Sequence, residues 1–214
     1  MTSPQAVEFA SLLCSRLCHD LLSPVGAINN GLELLADEDD PGMRAQCMEL
    51  LSDSARASAN KLKFFRLAFG AAGGFGEQID AREARAAIEG MFAHGGKIAI
   101  DWLVEAPTLG KGATKVLLNL SLIAGDALVR GGALTIGAVT DAGTTEIVVR
   151  AEGPRLVLDP ELRRALAGDM GEGELSPRAA AAQLVASLVA EGQGTIQQSA
   201  PEEPYIMFGA TLKA

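Results

Sequence analysis

His19-Asp20-Leu21-Leu22-Ser23-Pro24-Val25 lies in the middle of a long apolar-periodic stretch, and the register of that stretch decides the fold. Placing Val7, Ala10, Cys14, Leu17, Leu21, Pro24, Ile28, Gly31 and Leu35 at heptad positions a and d gives a nearly unbroken seam of small or apolar residues. Cys18, Val25 and Leu32 at position e widen it. Ser3-Pro4 supplies an N-cap followed by proline at the first helical position, so one helix is predicted from Ser3 to about Ala36. Asp37-Glu38-Asp39-Asp40-Pro41-Gly42 reads as a charged turn with two breakers. Helical spacing then resumes from Met43 to about Phe69 through Cys47, Leu50, Leu51, Leu62, Phe65 and Leu67. The two helices are antiparallel. A stripe this broad is more than one partner helix covers, so the hairpin is expected to pair with a second copy of itself as a four-helix bundle.

Beyond the hairpin the pattern changes. Gly70-Ala71-Ala72-Gly73-Gly74-Phe75-Gly76 supports neither helix nor strand, and the domain boundary is placed there: hairpin 1–70, linker 71–78, second domain 79–214. In the second domain the sequence predicts a helix from Asp80 to about His94, opened by an Asp80/Glu83 capping box, and a strand from Lys97 to Val104. A helix from Leu109 to Val129 follows. Ala133 to Val139 and Thr144 to Ala151 form a hairpin around Asp141-Ala142-Gly143. Ser176-Pro177 repeats the N-cap logic for a helix ending near Gly192, and strands near Thr195 and from Tyr205 to Leu212 close the chain. The fold class is α+β: a helical hairpin that dimerises, plus a compact α/β domain.

Composition narrows the partners. Of 214 residues, 48% are hydrophobic and 21% charged, which marks a folded chain with ample core material. A net charge of -9 argues against nucleic acid or an anionic membrane as partner, since both need concentrated Lys and Arg. The N-terminus has no secretory-signal pattern and no apolar run is long enough to span a bilayer, so a cytoplasmic location is expected. Cys14, Cys18 and Cys47 are an odd number and read as small core residues in a reduced compartment. A metal site from Cys14, Cys18 and His19 is disfavoured, since only the two cysteines share a helix face and no fourth ligand is nearby.

In the heptad register His19 falls at position f, away from the seam. Ser15, Arg16, Leu22, Ser23, Gly26 and Asn30 surround it on the exposed side. Asp20 adjoins the imidazole and is placed to accept a hydrogen bond from one ring nitrogen, leaving the other nitrogen's lone pair open for attack. Pro24 has no N–H, so the Asp20 carbonyl loses its helical partner and a kink is expected there. Counting back from the turn, the small residues from Ser52 to Ala59, Ala57 among them, are expected level with His19, leaving room for a docking partner. Lys61 and Lys63 lie just beyond, as contacts for acidic loops or as ordinary solvated charges. His94, before two glycines, reads as a helix C-terminal charge, and Trp102 and Tyr205 as strand packing residues.

The run from His19 to Val25 resembles the H-box of sensor histidine kinases: a histidine, an acid, two further residues, a small polar residue, a proline and an aliphatic. The second domain's order of elements is similar to the Bergerat-type ATPase domain of those enzymes, but the parts that family uses on ATP are altered. Val116-Leu117-Leu118-Asn119-Leu120 resembles the opening of its asparagine box, with Ile123 where the family places a magnesium-binding Asn. Ala151-Glu152-Gly153-Pro154-Arg155-Leu156 resembles its Asp-x-Gly-x-Gly box, with Ala151 for the adenine-binding Asp and Arg155 for the second Gly. Glu174-Leu175-Ser176-Pro177-Arg178 stands where a glycine-rich phosphate loop would be.

An H-box hairpin joined to a degenerate ATPase-like domain resembles the ChpT family of alphaproteobacterial histidine phosphotransferases over essentially the whole chain. The resemblance implies a homodimer without ATP or metal of its own. His19 would take phosphoryl from the receiver domain of a hybrid kinase of the CckA type, with Asp20 orienting it. It would pass the group to response regulators of the CtrA and CpdR types in cell-cycle control, each receiver carrying its own Mg²⁺. Ser15, Arg16, Leu22, Ser23, Gly26, Asn30, Ala57 and Lys61 would form the docking face. Two alternatives remain at this point: an ATP-dependent histidine kinase with an unfamiliar pocket, and a non-catalytic dimer that sequesters receivers.

Overall fold

The computed structural model describes residues 3–70, 77–93, 96–171 and 173–213, with side chains from residue 5 onward. The capping side chains expected of Ser3 and Pro4, the run 71–76 and His94 lie outside the described residues.

Helix α1 spans Ser3–Ala36 and α2 spans Pro41–Ala68. α1 runs unbroken through Pro24. α2 begins earlier than the turn composition suggested. Pro41 is not a breaker but occupies the helix's first turn, where a missing N–H costs nothing, behind the N-cap Asp40, whose carboxylate accepts from the Met43 N–H at 2.8 Å. Arg44 closes the connection by donating to the carbonyls of Leu35 and Glu38. Gly31 lies against Leu51, so close that a Cβ there would sit 3.0 Å from Leu51 Cδ2, which fixes how near the two helices pack.

The far end of α2 enters a second layer of structure. Phe64, Phe65, Leu67 and Ala68 are buried in the same core cluster as the sheet and helices that follow. Strand β1 (Gln78–Asp80) pairs antiparallel with β3 (Thr108–Gly110); at three residues each, both are too short to carry a periodic signal. Asp80 then caps α3 (Ala81–Phe92) by accepting from the Arg82 N–H. Glu83, expected to complete a capping box, pairs instead with Arg66 of α2. Helix α4 (Lys111–Asp126) is shorter than predicted at both ends, because β3 takes its first residues and the chain turns away at Ala127. From Val116 to Gly125 every α4 residue is buried, as expected of a helix enclosed on all sides.

The main sheet has the order β2-β4-β5-β7-β6 and is antiparallel except for the β2–β4 pair. Its strands are β2 (Ile98–Trp102), β4 (Gly132–Asp141), β5 (Thr144–Glu152), β6 (Thr195–Gln198) and β7 (Ile206–Lys213). Ala142 and Gly143 both adopt positive φ, 47° and 79°, the two-residue turn whose twist suits a hairpin. Inward residues Leu134, Ile136, Ile147, Val149, Phe208 and Ala210 alternate with outward ones, and α4 and α6 (Ala180–Glu191) cover the inner face. The α+β description holds: a helical hairpin and a two-layer α/β sandwich. Helix α5 (Pro160–Leu166), with Asp159 as N-cap and Pro160 in its first turn, was legible from those two residues but was not anticipated. Ser176-Pro177 does not start α6. It makes a turn before it, and Ser176 is held by Glu161 through both its N–H and its hydroxyl.

Cys47 is buried, but Cys14 and Cys18 are exposed rather than in the core. Along the described seam Pro24 and Gly31 are buried and Leu17, Leu21, Ile28 and Leu35 half-buried, while Val7, Val25 and Leu32 stay open together with Met48, Leu50 and Leu62 of α2. Among the described residues no helix is long and apolar enough to cross a membrane.

Candidate active site

His19 stands on the middle of α1 with 76% of its side chain open to solvent, as its heptad position requires. Its Nδ1 lies 3.1 Å from Asp20 Oδ1. With a proton on Nδ1 the imidazole donates to that carboxylate, and Nε2 is left with a lone pair. Asp20 is itself held. Its Oδ2 accepts from Arg16 Nε at 2.8 Å, one helical turn back, and its side chain is only 12% exposed.

The backbone of Asp20 is held as well. Pro24 brings no N–H to its carbonyl, and Lys61 Nζ of α2 donates to that oxygen at 2.8 Å instead. Lys61, expected as a surface charge for a partner, is thereby half-buried and tied across the hairpin. The contact also corrects the expected register: Lys61, rather than the small residues from Ser52 to Ala59, lies level with the histidine. Ser54 and Ala57 instead line a groove of about 230 Å³ with Ser23, Pro24 and Ala27, one to two turns further along α1.

Arg16 is the second residue whose surroundings differ from expectation. Its Nη2 reaches out of the hairpin to Asp126 Oδ2 of α4 at 2.7 Å, and only 13% of the side chain is exposed. Burial opposes its charge, but Asp126 and Asp20 outweigh this and hold the guanidinium above its ordinary range. Packing around Asp126, with Asp20's like charge added, pushes that carboxyl above the ordinary aspartate range against the pull of Arg16 and Lys61. The effect is moderated by solvent, since 46% of the Asp126 side chain is open through the adjoining cleft.

That cleft, of about 920 Å³, runs between α1 and the sheet domain. Ser15, Arg16, His19 and Asp20 form one wall; Ile123, Asp126, Val157, Leu158, Pro160 and Arg178 are on the other. Beyond His19 on α1, Leu22, Ser23 and Asn30 are exposed, and a Cβ at Gly26 would meet nothing within 4 Å. The expected stripe from Ser15 to Asn30 is therefore an open, low-relief surface, with Arg16 and Lys61 withdrawn into the framework beneath it.

In the sheet domain, Asn119, Ile123 and Ala151 are all buried. Asn119 is fully buried and donates from Nδ2 to the carbonyls of Ala68 and Lys115, joining α4 to the end of α2. Ala151 is buried in β5, and Ile123 is an apolar part of the cleft wall. Among the described residues no three His, Cys, Asp or Glu side chains are grouped to hold a metal ion. Asp126 was missed by sequence reasoning, although it left a signal: a lone acid ending an otherwise apolar helix, at the end where the helix dipole disfavours negative charge.

A family model describing the C-terminal domain of histidine phosphotransferases matches residues 81–204. The protein phosphotransferase ChpT of Brucella abortus (strain 2308) is 40% identical over 156 residues, 73% of either chain. A solved structure described as that of a bacterial phosphotransferase superimposes with a TM-score of 0.83 at 34% identity, covering 96% of both chains.

Proposed function

The chain belongs to the ChpT family of histidine phosphotransferases, and from that premise we propose that His19 is the residue that carries the phosphoryl group between receiver domains. The observation that carries the assignment is the geometry of His19: an exposed imidazole whose Nδ1 faces a carboxylate pinned by Arg16, with Nε2 directed away from it.

Transfer from an aspartyl phosphate needs in-line placement and charge neutralisation more than covalent machinery. Nε2 attacks the phosphorus, the N–P bond forms, and the bond from phosphorus to the receiver's aspartate oxygen breaks, returning that aspartate as carboxylate. The proton stays on Nδ1, where Asp20 stabilises the positive charge that develops on the ring. The reverse sequence onto a second receiver completes the relay. Mg²⁺ belongs to the receivers, and this chain works without ATP: Ile123, Ala151 and the 174–178 turn offer nucleotide phosphates and adenine neither ligand nor glycine-rich cradle. The docking face is the stripe of Ser15, Leu22, Ser23, Gly26 and Asn30 on α1.

A hybrid kinase of the CckA type as donor and regulators of the CtrA and CpdR types as acceptors are consistent with this chemistry, as are a homodimer through the open seam of α1 and a cytoplasmic site of action. The test is to mix the protein with a phosphorylated receiver and follow acid-labile phosphate. Wild-type chain should become labelled and His19→Ala should not. Labelling of wild type by ATP and Mg²⁺ alone, with no receiver present, would instead establish a kinase.

A further inference from the structure

Asp126 ends α4, whose preceding residues from Val116 to Gly125 are all buried, so it is the point at which the central helix of the sheet domain emerges into the cleft beside His19. A carboxylate there stands against the helix dipole. It is directed across the cleft to one nitrogen of the Arg16 guanidinium, Oδ2 to Nη2 at 2.7 Å, while Nε of the same group holds Asp20 Oδ2 at 2.8 Å and the other Asp20 oxygen meets His19 Nδ1 at 3.1 Å. A guanidinium bound through two of its nitrogens by carboxylates on separate helices has one orientation; bound through one, it can rotate about that contact.

We propose that Asp126 is a positioning residue for phosphoryl transfer: by fixing Nη2 of Arg16 it fixes Nε on Asp20, and through Asp20 it holds the tautomer and orientation of the His19 ring. The sheet domain thereby contributes to the chemistry at the hairpin through a single carboxylate. The proposal rests on His19 being the phosphoryl acceptor. A salt bridge that merely joined the two parts of the chain would add stability and leave the imidazole as it is.

The experiment uses the full chain with Asp126→Asn, Asp126→Glu, Arg16→Ala, Arg16→Lys and the double variant Arg16→Ala/Asp126→Asn. Each is scored for its rate of phosphoryl uptake from a phosphorylated receiver domain, and the ring nitrogens of His19 are followed by ¹⁵N NMR. Asp126→Asn is expected to slow uptake roughly 10- to 100-fold, the range a small misplacement of a reacting group produces. It should also move the ring signals from a single Nδ1-protonated form towards a tautomer mixture. Asp126→Glu should recover most of the rate, and Arg16→Lys, which keeps the charge but loses the rigid pair of donors, should not match wild type. The double variant should be no slower than Arg16→Ala, because both act through one link. Wild-type rate and ring signals in Asp126→Asn overturn the proposal, and so do losses that multiply in the double variant. A His19→Ala chain that still takes up phosphoryl removes the acceptor assignment, and the proposal with it, by a result distinct from the other two.

Discussion

Pro24 and Lys61 form a pair that neither residue explains alone. The proline withdraws an N–H from the Asp20 carbonyl, and an unmatched, part-buried acceptor next to the nucleophile costs on the order of 1–3 kcal/mol. Lys61 supplies the missing donor from the other helix. Lys61→Met is expected to destabilise the chain by about 1–2 kcal/mol in urea unfolding and to slow phosphoryl uptake. In a Pro24→Ala background, where the helix supplies its own N–H, the same change should lose most of its effect on stability. Equal cost of Lys61→Met in both backgrounds would show that the carbonyl contact is unimportant. The His19 and Asp20 pairing and the orphaned carbonyl were readable from seven consecutive residues. Lys61 and Asp126 were not, because which side chain fills a vacancy 41 positions away or on another domain is a property of the fold, not of local pattern.

Among the elements, helices whose ends carry local chemistry were the most legible, and the errors have physical causes. α1 ends where its periodicity ends. α2 starts at Pro41 because proline in a first turn and proline in a turn look alike in sequence, and only the capping contact from Asp40 to Met43 distinguishes them. Asp40→Ala should therefore cost about 1 kcal/mol and lower the melting temperature by a few degrees; an unchanged melt would mean that Pro41 alone defines the helix start. The Asp80/Glu83 box was half right, since Asp80 caps α3 but Glu83 is drawn to Arg66 across the α2–α3 contact. Ser176 keeps part of the expected capping role, its hydroxyl oxygen accepting from the Ala179 N–H at 3.4 Å while it donates to Glu161, but the residues after it form a turn and the helix begins at Ala180.

For the molecule as a whole, the seam of α1 is wider than α2 can cover, and Val7, Val25 and Leu32 stay open to water at 65%, 44% and 53% exposure. These three side chains are already about half covered, so burying the rest is worth roughly half of the 1.5–3 kcal/mol of full burial each, a few kcal/mol that favours pairing with a second copy. Leu32→Glu is expected to halve the mass measured by light scattering while leaving the helical circular dichroism unchanged. A chain already monomeric as wild type would end the dimer proposal. The heptad register made this face visible in the sequence. The shared core of α2 and the sheet domain was not visible, because the glycine-rich run 70–76 looked like a boundary with independent units on either side.

That shared core decides how the chain can be divided. Phe64, Phe65 and Leu67 close the hairpin only because the inner layer of the second domain surrounds them. A hairpin cut off after residue 70 would put all three into water, a loss of roughly 5–9 kcal/mol, comparable to the whole stability of a typical domain. Such a fragment should aggregate or unfold when expressed alone. The hairpin that presents His19 is thus no detachable module, and the two parts keep or lose their fold together.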